Sequence, residues 1–115
     1  MKTIGDFITA LSSTSHSIAT VSIQMWQEGC QQEIWDEHVS QPLTLNGILC
    51  LREQMSCFYG RRIQAVSSEE YYHDILREHV DFIQEFDSIA ASEGFTITEK
   101  RMCISYAEAL AAHAA

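Results

Sequence analysis

Residues 67 to 93 carry two helical stripes at once, and that pairing constrains the fold more than any other feature of the chain. At 100° per residue, Glu70, Asp74, Glu78, Asp81 and Glu85 fall within an arc of about 80°. Tyr72, Ile75, Leu76, His79, Phe82, Ile83 and Phe86 occupy the opposite side. A helix of this kind needs a core on one face and leaves on the other a carboxylate ladder about 22 Å long, at 1.5 Å rise per residue. The five ladder residues are expected to face solvent.

The rest of the chain is punctuated as helices. Ile4, Phe7, Ile8 and Leu11 follow the i, i+3, i+4, i+7 spacing, and Thr3 with Asp6 forms a variant capping box, giving a short first helix. The polar run Ser12-Ser13-Thr14-Ser15 acts as a linker and supplies the next N-cap. A longer helix is predicted from about residue 15 to 38, with Ile18, Val21, Met25, Trp26 and Cys30 on a broad apolar face and Gly29 as a weak or close-packing point. Pro42 marks a connection.

Thr44 then caps a helix to about residue 66 whose inward stripe is Leu45, Ile48, Leu49, Met55, Tyr59, Ile63 and Val66. Leu51 and Phe58 fall outside that stripe. Ser67 with Glu70 is an S-x-x-E capping box for the acidic helix, and Gly94 is placed to end it. Thr96 with Glu99 opens a last helix to about residue 113. The fold class is all-α: one domain over residues 1–115, a small antiparallel bundle of four main helices plus a short N-terminal one.

The formal charge of -9 is concentrated. Residues 67 to 98 hold Glu69, Glu70, Asp74, Glu78, Asp81, Glu85, Asp87 and Glu93 against Arg77 alone. Such a field repels nucleic acid and anionic membrane and attracts basic protein surfaces. No apolar run approaches the roughly 18 residues that span a bilayer. Cys30, Cys50, Cys57 and Cys103 lack the dense spacing of a secreted scaffold, and Asp6 interrupts any signal-peptide core. These features imply a cytoplasmic protein with free thiols. Cys50 and Cys57, about 10 Å apart along one helix, cannot bond to each other within it.

Catalytic signatures are missing: no Gly-rich phosphate loop, G-x-S-x-G elbow or acid placed to orient His16. No cofactor is implied. Glu70 and His73 match the E-x-x-H spacing of ferritin-like di-metal bundles, yet no second such motif exists. A metal-binding or enzymatic bundle using Glu33 or Glu37 is therefore the rival class, and a structural subunit or secretion-type chaperone is a third. Arg61-Arg62, the one compact basic site, is expected to pair with acids of the next helix or across a dimer.

Ladder charges about 6 Å apart along the axis match the spacing of successive phosphates, so the acidic helix 68–93 could occupy a basic, nucleic-acid-binding groove of a protein partner. The bland alternative is a solvated face. Against it, like charges at i, i+4 cost a few tenths of a kcal/mol each where mixed signs would stabilise. The functional expectation is thus a non-enzymatic inhibitor or adaptor whose partner-binding residues are Glu70, Asp74, Glu78, Asp81 and Glu85. Leu51 and Phe58, apolar and outside the inward stripe, are expected to form a homodimer or second interface.

Overall fold

The computed structural model describes residues 1–66 and 69–98, with the side chains of 69 and 70 outside that description. The described residues form an all-α bundle of five helices: α1 (Ile4–Ser12), α2 (Ser17–Gly29), α3 (Gln32–Val39), α4 (Leu45–Ala65) and α5 (Glu69–Ser92). The Ser67–Glu70 capping box and the helix expected after Thr96 lie outside the described residues.

Two of the helix starts follow the capping chemistry expected of them. Thr3 Oγ1 accepts the Asp6 amide at 3.2 Å, while the Asp6 carboxylate accepts the Lys2 and Thr3 amides at 2.9 and 3.1 Å. Those amide donors hold the Asp6 carboxyl below its ordinary pKa. Thr44 accepts the Gly47 amide at 3.1 Å and starts α4. Gly94 adopts φ 88°, and Phe95 N–H donates to Ala90 O at 2.9 Å while Gly94 N–H donates to Ala91 O at 3.0 Å. These are the two bonds of a Schellman motif, and they end α5. The segment entering α1 is strapped to the α3–α4 connection by an antiparallel bridge between Thr3 and Pro42.

The helix expected over residues 15 to 38 is two helices, broken at Cys30 and Gln31, whose backbones are extended. Trp26 and Trp35 explain the break. Nine residues apart on one continuous helix, they would point to opposite sides. With the chain redirected, their rings meet edge to face at 5.1 Å, and His38 and Phe58 join the cluster. Gly29 is not a close-packing position, since a Cβ there would meet open space.

The core draws on all five helices, with most of its large buried side chains on α1, α4 and α5. Phe7, Leu11, Ile48, Met55, Tyr59, Ile63, Phe82 and Phe86 are fully buried. Gly5 lets α1 approach α3, because a Cβ there would lie 2.9 Å from Val39 O. α4 packs against both α5 and α2, so its buried arc is wider than one stripe. Leu51 (3% exposed), Arg52 and Ser56 are buried, and Leu45 is exposed. The placement of Leu51 outside the core is therefore corrected: it is a core residue. No helix among the described residues is long and apolar enough to cross a membrane.

Candidate functional site

Position on the α5 wheel decides what each acid does. Taking Glu70 as 0°, Asp81 lies at about 20°, Asp74 at 40°, Glu85 at 60° and Glu78 at 80°, while the apolar face begins with Phe82 at about 120°. The acids nearest that face reach other helices. Glu78 accepts from Ser17 Oγ at 3.0 Å, from the Ile18 amide at 3.1 Å and from Tyr59 Oη at 2.8 Å. Glu85 meets His16 Nε2 at 2.6 Å. Asp87, beyond the apolar face on its other side, holds the buried Arg52. Asp74 and Asp81 are exposed, Asp74 sharing a 3.1 Å ion pair with Arg77. The Glu70 side chain lies outside the described residues.

The expectation of five solvent-facing carboxylates is thus corrected at Glu78. The expectation that the run from Ser12 to Ser15 supplies the next N-cap is corrected too: α2 begins after His16, which makes no side-chain cap bond. Glu78 supplies the missing acceptor from another helix, placing a carboxylate at the positive end of α2. It also keeps Tyr59 a donor, since burial and then this bond raise the phenol pKa far above its ordinary value. Glu78→Ala should therefore cost about 2–3 kcal/mol, from a lost cap and a stranded buried hydroxyl. Urea unfolding checks this, and a loss no larger than that of Asp81→Ala would contradict it.

His79, in the middle of the apolar face, is fully buried, with Nε2 3.3 Å from Ser56 Oγ and its ring 4.9 Å from that of Tyr59. Burial, aided by the Arg52 charge, pushes its pKa from 6.5 down to about 4. The unfolded chain takes up this proton below about pH 6.5, whereas the folded one resists until about pH 4. Stability from this group is therefore full above pH 6.5 and is lost as the pH falls to 4, by about 3 kcal/mol in all. Unfolding curves across that window should show the slope, and His79→Gln should lack it.

A groove of about 680 Å³ lies between α2 and α4. Its α2 wall is the stripe Ile18, Val21 and Met25, within an arc of about 60°. Ala19 and Ile23, the buried residues of α2, lie 100° and 140° round from Ile18. So α2 has two apolar stripes: Ala19 and Ile23 are buried, whereas on the other Ile18 is partly buried against the core and Val21 and Met25 are left exposed. Val21 is 52% exposed and Met25 66%. The α4 wall carries Phe58, Arg61, Arg62 and Ala65. Phe58 is half-buried against Trp26 at 5.9 Å and lines this groove.

Arg61 stands over the Phe58 ring at 5.6 Å, and among the described residues, which leave out the Glu69 and Glu70 side chains, neither Arg61 nor Arg62 pairs with a carboxylate. Cys57 is disulfide-bonded, whereas Cys30 and Cys50 are free, which corrects the expectation of free thiols throughout. Among the described residues no three His, Cys, Asp or Glu side chains converge as a metal-ligating group. Sequence patterning placed Ile18, Val21 and Met25 on an apolar face, but the signal that they are surplus to the core was the second stripe through Ala19 and Ile23. Comparison with protein-family models, curated proteins and solved structures returned no match.

Proposed function

We propose that this chain is a non-catalytic protein-binding module, an inhibitor or adaptor, whose docking face is the groove between α2 and α4. The observation that carries this reading is the exposed stripe of Val21 and Met25 beside Phe58. Large apolar side chains lining a concave, open surface mark an interaction site on a small domain, since a contiguous exposed patch carries a solubility cost that a partner relieves.

The acidic helix is the second reading, supported by the exposed Asp74 and Asp81 and the 44% exposed Glu85. A ladder opposed to a basic nucleic-acid-binding surface has fewer carboxylates to offer once Glu78 is occupied by α2 and Tyr59. The bonded Cys57 counts against the cytoplasmic setting expected together with free thiols, because disulfides persist chiefly in oxidising compartments.

Paired variants separate the two faces. Met25→Glu places a charge in the groove, and Asp74→Lys with Asp81→Lys reverses the exposed ladder, both at solvent-facing positions that leave stability within about 0.5 kcal/mol. In affinity capture from the native host, the groove variant should lose the partners that the wild type retains, and the ladder variant should keep them. Loss with the ladder variant alone, relieved by salt in the wild type, would assign the interface to α5.

A further inference from the structure

The groove is electrostatically opposite to the molecule that carries it. In a chain of net charge -9, Arg61 and Arg62 stand adjacent and exposed at its α4 wall, with no carboxylate partner among the described residues. Arg52 and Arg77, by contrast, are each neutralised, by Asp87 and Asp74. The Arg61 guanidinium carbon lies 5.6 Å from the Phe58 ring centroid, a cation–π stack that holds the planar fork in place and lowers the entropy lost when it binds an anion.

The apolar surface beside these arginines has a definite length. From Ile18 to Gly29 the groove follows α2 for about 16 Å, or three helical turns, at 1.5 Å per residue. Met25 at its centre is unbranched and adapts to irregular surfaces. With Val21 and Met25 more than half exposed, the groove is too open to enclose a small molecule, whose site buries about 70–90% of its ligand. A nucleic acid is opposed by the overall charge.

Resting on the reading of this groove as the docking face, we infer that its occupant is an acidic amphipathic helix of a partner protein. Its apolar residues, at i, i+3 or i+4 and i+7, lie against Val21, Met25 and Phe58, and flanking Asp or Glu side chains meet Arg61 and Arg62. The pairing is selective as well as attractive. A basic helix of the same apolar stripe brings like charges against two guanidinia.

Two synthetic helical peptides, each about four turns long with the same Leu stripe, one flanked by Glu and one by Lys, are titrated against the full chain by fluorescence anisotropy. The Glu peptide should bind at least about tenfold more tightly, with affinity falling as salt rises. Arg61→Glu with Arg62→Glu, whose thermal melt should match the wild type at these exposed positions, should reverse the order. Equal binding of both peptides, lost in Met25→Glu, would overturn the acidic partner and leave the groove reading standing. Binding of neither peptide, or binding indifferent to Met25→Glu, would overturn the groove reading itself. Self-association seen by light scattering and abolished by Met25→Glu would make a second copy the occupant and overturn the inference.

Discussion

Phe86→Ala should lower the stability of this domain by about 3–5 kcal/mol. Phe86 is fully buried, its ring 5.0 Å from that of Phe7 and 6.2 Å from that of Phe82. It stands where α1 meets α5. Truncation removes the transfer free energy of a whole ring and leaves a cavity whose walls belong to two helices with no means of closing on it. Since small domains are stable by only about 5–15 kcal/mol, the variant should be partly unfolded near 37 °C. Urea or guanidinium unfolding measures the loss. Phe86→Leu should recover much of it, and a loss from alanine below about 1 kcal/mol would mean that α5 presents a different face to the core.

Arg52→Met should cost a comparable amount, about 3–5 kcal/mol, for an electrostatic reason. Arg52 is 3% exposed, its Nε 2.9 Å from Asp87 Oδ1 and its Nη2 3.3 Å from Oδ2. This two-point geometry offsets the desolvation of both charges. Removing the arginine leaves the Asp87 carboxylate, 16% exposed, with its charge poorly solvated. The partial exposure places the expected loss toward the lower end of that range. Replacing both members, Arg52→Met with Asp87→Leu, should restore most of the stability, because no lone charge remains. A single variant no less stable than the double would show that the pair is solvated in practice.

The difference between what could be read in the chain and what could not follows from how many neighbours each helix has. α5 packs mainly on one side, so a single stripe described it: Tyr72, Ile75, His79, Phe82 and Phe86 are all buried, and Gly94 ends the helix as its position implied. α4 is packed on two sides. A one-stripe reading of it caught Ile48, Met55, Tyr59 and Ile63 but left out Leu51, and it had no means of anticipating that Arg52 would be buried against an acid 35 residues away.

The break after α2 depended on Trp26 and Trp35 meeting, a tertiary contact that overrides local propensity across residues 15 to 38. Among the candidate site residues, Asp74 and Asp81 are exposed as expected, whereas Glu78 was misread because a carboxylate at the edge of a polar arc looks the same in sequence whether it meets water or a helix end. The absence of any capping side chain from His16 was the trace of that contact. The groove was half legible. Its stripe was visible, but only the packing of Ala19 and Ile23 shows that Val21 and Met25 are left exposed.

Photo-crosslinking in the native host tests the central claim most directly. A photoreactive side chain at Met25 or Val21 stands in the groove, and one at Asp74 or Asp81 stands on the exposed acidic face of α5. If the α2–α4 groove is the docking face, a protein adduct of one defined mass forms from positions 25 and 21 and does not form from positions 74 and 81; with an acidic occupant it is also suppressed by Arg61→Glu with Arg62→Glu. An adduct formed from positions 74 and 81 and not from 25 and 21 would contradict the account and make the acidic helix the binding surface.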